Sequence, residues 1–295
     1  MIEQVSVVIP VYGQWNLVKR NIDALIKFDA EYLREILVID DCSPQPNPYI
    51  FDRALVKVIP NQTNLGYSGT VNKGLKEAVS SIIVLLDSDA YPVGPFIRQL
   101  GFLFSSDMSI GCIGFSTVDE QGTMTGNYQF ESNIAGLIMG QALEARLKIS
   151  SYKKKKNILP HSCAVSFKKQ CLVEMNYLDE IHFPVLDADV DLSMRIHRSR
   201  WKLVFTRDIT ICHKGGSSYQ VNYKRVLLHH KSRWALLKKF DLIPLPALMK
   251  ALIRVRVRTE LAILRLCTFI RKDAVFYEEK IKGRRILLKD IDAYT

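Results

Sequence analysis

The first part of the chain alternates uninterrupted apolar runs with segments of helical periodicity, and this restricts its fold more than any other feature. The runs are Val5–Val11, Glu35-Ile-Leu-Val-Ile39 and Ser81-Ile-Ile-Val-Leu-Leu86, with Val56–Ile59 a further short strand. Strands without a polar alternation are covered on both faces. Between the first two runs, Trp15, Val18, Ile22, Leu25 and Ile26 recur at helical spacing, and a further helix is predicted around Thr70–Val79. The pattern predicts an α/β fold, a mainly parallel sheet flanked by helices. Further on, His161–Phe167 and Lys202–Phe205 read as strands and Asp187–His197 as a helix. Residues 116–160 are irregular, with Gly122, Gly126, Gly136 and Gly140 followed by Lys153–Lys156, read as a solvated loop. From about Tyr223 the pattern is helical and basic. The expected division is 1–222 for the sheet domain and 223–295 for a helical region packed on it or on a membrane.

Composition excludes whole classes. With 48% hydrophobic and 24% charged residues, the 295-residue chain is neither disordered nor collagen-like. Its six cysteines form no C-x-x-C pair, which argues against a zinc cluster or a disulfide framework and fits a reducing compartment. Residues 1–150 carry 11 basic and 16 acidic side chains, residues 151–295 carry 30 and 14. The basic half calls for an anionic partner, and no nucleic-acid module with interleaved aromatics is recognisable. A spanning helix needs about 20 apolar residues. The stretch 242–270 is broken by Lys250, Arg254, Arg256, Arg258, Glu260 and Arg265. A cytoplasmic protein is expected, with the basic amphipathic tail either lying on the inner face of the cell membrane, packing on the catalytic body or forming a homodimer interface.

In an open α/β sheet, ligands bind beyond the carboxyl ends of the strands. Three of the runs end in groups suited to that position: Pro10-Val11-Tyr12, Asp40-Asp41 and Asp87-Ser88-Asp89. The last, a D-x-D, offers hard oxygen ligands for a divalent cation that bridges phosphates. Asp40 can accept from a base imide or a ribose hydroxyl, with Asp41 the better candidate for an Asx-turn into Ser43-Pro44. Asn64-x-Gly66 and Asn72-x-Gly74 supply tight turns and helix N-terminal amides suited to phosphate. In Asp187-Ala-Asp189-Val-Asp191-Leu-Ser-Met-Arg195, Asp191 stands i,i+4 from Arg195 as a surface ion-pair partner, and Asp189 is the freer carboxylate. His213 reads as a metal ligand, a phosphate donor or a buried hydrogen-bonded residue. Gly215-Gly216 beside it suggests a mobile or tightly turning loop.

These pieces, in this order, resemble the family 2 glycosyltransferases of the GT-A fold, and the tail from Tyr223 resembles the rhamnosyltransferase-like bacterial members. The resemblance implies transfer of a hexosyl or deoxyhexosyl unit from a nucleoside-diphosphate sugar, UDP- or dTDP-linked, to a glycan or lipid-linked acceptor in cell-surface polysaccharide synthesis. It implies that Asp40 contacts the base and that Pro10, Val11, Tyr12, Asn64, Gly66, Asp87 and Ser88 line the nucleotide-sugar site. Asp89, Asp87 and His213 would hold Mg2+ or Mn2+, and Asp189 would be the general base. Asp187, Asp191 and Arg195 would support the acceptor side. One position departs from the family pattern: Ala188 stands where a Glu precedes the base. The alternative is a non-catalytic nucleotide-sugar-binding or assembly protein on the same fold.

Overall fold

The apolar runs form the strands they predict. β1 (Val5–Val11) is buried along its whole length, and β2 (Leu33–Asp40), β3 (Val56–Pro60) and β4 (Ile82–Leu86) pair with it and each other in parallel. The structure, a computed structural model, describes residues 3–52, 54–131, 133–140, 143, 158–214, 223–270 and 274–294. Lys153–Lys156 and Gly215-Gly216 lie outside the described residues.

Helix α1 (Trp15–Asp29) buries Trp15, Val18, Ile22 and Leu25, whose 3.6-residue spacing makes one apolar face against the sheet. Helix α2 (Gly66–Glu77) starts earlier than the periodicity suggests, so Gly66–Gly69 is a first helical turn. Gly74 is obligatory there: a Cβ would stand 2.4 Å from Val8 Cγ1 and 2.9 Å from Ile39 Cγ1.

The rest of the sheet comes from β5 (Ala90–Pro92), β6 (Ile110–Val118), β9 (Ala164–Lys168) and β10 (Lys202–His213), with α3 (Ile97–Ser106) between β5 and β6. The eight-stranded order is β3-β2-β1-β4-β9-β6-β10-β5. The pairs of β9 with β4 and β6, and of β10 with β5, are antiparallel, so the sheet is mostly but not wholly parallel. His161–Cys163, expected within a strand, instead form the turn between β8 (Ile158–Pro160) and β9; β8 pairs with β7 (Tyr128–Phe130) in a two-stranded ribbon. Helices α5 (Lys169–Glu174) and α6 (Ala188–His197) follow β9.

The chain divides into two compact units, Met1–Glu131 with Asn157–Ser218, and Ser132–Lys156 with Tyr219–Thr295. Residues 132–156 therefore group with the C-terminal helices. In that second unit α4 (Ala135–Met139), α7 (Tyr223–Lys239), α8 (Pro246–Ile270) and α9 (Ala274–Asp290) enclose Leu137, Trp234, Leu237, Met249, Ile253, Val257 and Leu287. Among the described residues no helix is long and apolar enough to cross a membrane.

Candidate active site

The ends of β1, β2 and β4 lie along one edge of the first unit. Val11 is in register with Asp40, and Asp41 N–H donates to Val11 O at 2.9 Å. Pro10 and Val11 are buried, while Tyr12 is 56% exposed. The turn into Ser43-Pro44 predicted for Asp41 is made by its neighbour. Asp40 makes the turn, its Oδ1 accepting from Ser43 N–H at 2.9 Å. Asp41 is buried and holds the next segment, accepting from Asn61 Nδ2 at 3.0 Å and Leu65 N–H at 2.7 Å. A carboxylate inside the fold can join two distant loops, which adjacency in sequence does not reveal. Asn64 reaches back to Asp41 O and caps Gly66 N–H at 3.1 Å, and Ser68 N–H donates to Pro184 O at 3.0 Å. The Gly66 and Ser68 amides thus already have partners within the protein.

Asp87 and Asp89 follow β4 directly. Asp87 N–H is held by Cys163 O, and its carbonyl accepts from Asn21 Nδ2 at 3.2 Å and from Ala90 N–H at 3.0 Å. Ser88 is buried, with its hydroxyl donating to Gln14 Oε1 at 3.2 Å. His213 arrives from across the sheet. The antiparallel register of β10 with β5 sets His213 opposite Ala90, and its Nε2 lies 3.3 Å from Asp89 Oδ1. One ligand atom each from Asp87, Asp89 and His213 lie within 4.8 Å of one another. Two carboxylate oxygens and an imidazole nitrogen at that spacing fit a divalent cation such as Mg2+ or Mn2+.

The electrostatics follow from this crowding. Burial pushes the Asp87 carboxyl up to about 6, helped by the Asp89 charge and opposed by the Tyr67 hydrogen bond. Burial alone would lower His213, but its bond to Asp89 and the two carboxylate charges raise it above the usual imidazole value.

Asp189 sits in the first turn of α6, where the helix dipole favours a carboxylate. Its Oδ2 lies 3.2 Å from His161 Nδ1 and accepts from Ser162 N–H at 3.3 Å, while Oδ1 accepts from Val190 N–H at 2.9 Å. Burial opposes ionisation, but the His161 and backbone hydrogen bonds outweigh it and hold the carboxyl below its ordinary value. The Tyr67 hydroxyl lies 2.8 Å from both Asp87 Oδ1 and Ser162 Oγ. A short polar chain, Asp189–Ser162–Tyr67–Asp87, therefore connects the Asp189 carboxylate, through the Ser162 amide and hydroxyl, to the Asp87–Asp89–His213 group.

Asp187 precedes α6 in the left-handed region at φ 64, and its carbonyl accepts from Asp191 N–H at 2.8 Å. Asp191 does pair with Arg195, Oδ2 to Nε at 2.8 Å, but the pair is not on the surface: Asp191 is fully buried. Arg195 also donates to Met175 O and Tyr177 O, so it ties α6 to the loop after α5. Ala188 is buried.

Tyr67, His161, Ser162 and Asn127 were not found by sequence reasoning. Asn127 donates to Ala164 O at 2.8 Å and its carbonyl accepts from His161 N–H, which fixes the turn that presents His161. Asn21 alone left a signal, as a polar residue on the apolar face of α1.

Solved structures of known transferases share this fold. The mannosyltransferase PcManGT from Pyrobaculum calidifontis, in complex with GDP-Man and Mn2+, is 14% identical with a TM-score of 0.58, covering 100% of this chain and 87% of that one. TarS 1–349 from S. aureus, in complex with UDP-GlcNAc, is 16% identical with a TM-score of 0.53, covering 85% and 70%. GalNAc-T7 with UDP, GalNAc and Mn2+ is 19% identical with a TM-score of 0.55; the match covers 77% of this chain but 47% of that one. No curated protein matches the chain by sequence. The model of glycosyl transferase family 2 matches residues 6–180. That span is more than half of the chain and contains Asp40, Asp87, Asp89 and the Tyr67–Ser162 link, so the protein belongs to glycosyl transferase family 2.

Proposed function

We propose that the protein is an inverting, cation-dependent glycosyltransferase that moves a hexosyl or deoxyhexosyl unit from a UDP- or dTDP-sugar to a hydroxyl of a glycan or lipid-linked acceptor in cell-surface polysaccharide synthesis. The observation that carries this reading is the placement of Asp189, ionised and hydrogen-bonded, one polar chain away from the Asp87–Asp89–His213 cluster. The similar transferases bound to GDP-Man, UDP-GlcNAc or UDP with GalNAc support a nucleotide-sugar donor.

Asp87, Asp89 and His213 would hold the cation, and Pro10, Val11, Tyr12, Asp40, Asn64, Gly66 and Ser88 would border the nucleotide side. When bound, Mg2+ or Mn2+ supplies positive charge against the diphosphate leaving group. Asp189 accepts the proton of the acceptor hydroxyl as its oxygen bonds to the anomeric carbon. The bond from that carbon to the diphosphate oxygen breaks, and the electron pair leaves with the diphosphate. General-base assistance of this kind contributes about 10²–10⁴-fold. His161 fixes the orientation of Asp189. A single displacement inverts the anomeric centre.

Incubation with a panel of nucleotide sugars and acceptor glycans, read by nucleoside-diphosphate release and by NMR of the product anomer, tests this. Turnover with inversion is expected, and retention of configuration overturns the single displacement. Ala188, where the family pattern has a Glu, favours a second reading as a non-catalytic binder, which gives affinity without turnover.

A further inference from the structure

The C-terminal helical region carries a net charge equal to that of the whole molecule. Residues 1–222 hold 23 basic and 23 acidic side chains, and residues 223–295 hold 18 basic and seven acidic. The long helix α8 concentrates this feature. Its inner face, Met249, Ile253, Val257 and Leu261, repeats every four residues and is buried. The opposite face is also apolar and is open. Leu248 is 49% exposed, Leu252 39%, Val255 60%, Ile263 56% and Leu266 61%. Ala251, Thr259 and Ala262, all exposed, fill the positions between them. At 3.6 residues per turn these share one stripe, and Arg258 and Arg265 line one edge of it, both exposed. Among the described residues neither arginine makes an ion pair. The one acid of α8, Glu260, is turned away and engaged by Arg256 at 2.6 Å and Arg284 at 3.0 Å.

A helix apolar on both sides has one face spent on its own core and one left for a partner. From this face we infer that α8 is a docking surface for an anionic lipid leaflet, with Leu248, Leu252, Val255, Ile263 and Leu266 entering the boundary of the acyl chains and Arg258 and Arg265 meeting the headgroups. Charge complementarity selects this occupant. The leaflet is negative, whereas a second copy of the chain brings the same positive charge. The inference rests on the helix face and not on the transferase reading, so either can fail alone.

The test is co-sedimentation of the full chain with vesicles of phosphatidylcholine alone and of phosphatidylcholine with phosphatidylglycerol. Binding to the anionic vesicles and release by high salt are expected, since screening shortens the reach of surface charge. Arg258→Gln and Arg265→Gln each weaken binding about fivefold. The triple variant Leu252→Ser, Val255→Ser, Leu266→Ser abolishes it while leaving the circular dichroism spectrum unchanged, because all three side chains are exposed. Equal binding to neutral vesicles, or none to either, overturns the inference. So does a wild-type dimer in analytical ultracentrifugation that the triple variant converts to monomer, which assigns the face to self-association.

Discussion

Asp189 and Asp191 stand on the same helical turn and have opposite environments. Asp189 faces the polar chain to Asp87, whereas Asp191 is enclosed and bound to Arg195. Asp189→Asn is therefore expected to lower kcat about 10²–10⁴-fold while donor binding stays nearly unchanged, because it removes an interaction made in the transition state. Asp191→Asn is expected to act on stability instead, costing on the order of 3 kcal/mol, as loss of one partner of a buried pair does. Steady-state kinetics and thermal melts of the two variants separate these outcomes. A kinetic loss in Asp191→Asn with a mild effect in Asp189→Asn reassigns the base. The contrast between these residues was half legible in the sequence. The i,i+4 spacing gave the pair, but burial depends on the loop after α5 folding over α6. Asp87 and Asp89 were readable because an apolar strand leads straight into them. Tyr67 and His161 were not, because each acts through partners far away in the chain.

At the level of elements, the parallel strands β1, β2 and β4 were visible as apolar runs and β3 as a short strand, while β6 and the antiparallel placement of the strand after His161 were not. A short apolar run fixes neither its direction nor its neighbours. The tail shows the same limit. Periodicity marked α8 as amphipathic, yet only packing separates Ile253 and Val257 from Leu252 and Val255. Helices α7, α8 and α9 also share a polar cluster. Arg256 Nη2 lies 3.1 Å from His230 Nε2, and Glu260 binds both Arg256 and Arg284. Burial holds the His230 imidazole down to about 3, with the positive charges of Arg256, His229 and Arg284 acting the same way. The folded protein thus keeps His230 neutral well below the ordinary imidazole value of about 6.5. The stability this contributes is complete above that value and is lost as the pH falls from it toward 3, at about 1.4 kcal/mol per pH unit. Thermal melts followed by circular dichroism between neutral and acidic pH should show this slope in the wild type. They should show a shallower one in His230→Gln, which keeps an acceptor for Arg256 and cannot become charged. Equal slopes would remove His230 as the cause.

For the molecule as a whole, the proposed donor site would exist only in the folded state, so a bound donor is expected to stabilise the entire first unit. At a concentration of about 100 times Kd the gain is about 2.7 kcal/mol. A thermal-shift screen of nucleotide sugars with Mn2+ is expected to raise Tm for the true donor. Asp89→Ala is expected to abolish the Mn2+-dependent part of that rise while melting at nearly the wild-type temperature without ligand. A shift that is unchanged in EDTA or in Asp89→Ala overturns the cation assignment. The identity of the donor is not written in any motif of the sequence.

The position of β10 also dictates an order of events during synthesis. Among the described residues it is the last strand of this sheet in chain order, yet it occupies an inner place, between β6 and β5. Until residue 213 has emerged, β6, buried along its whole length in the finished fold, presents an open edge, the kind of edge that recruits other chains. His213 itself arrives on the strand that closes that edge. The nascent chain therefore gains its third cation ligand at the step that ends its exposure to aggregation, and a stall before β10 leaves it both sticky and incomplete at the cation cluster.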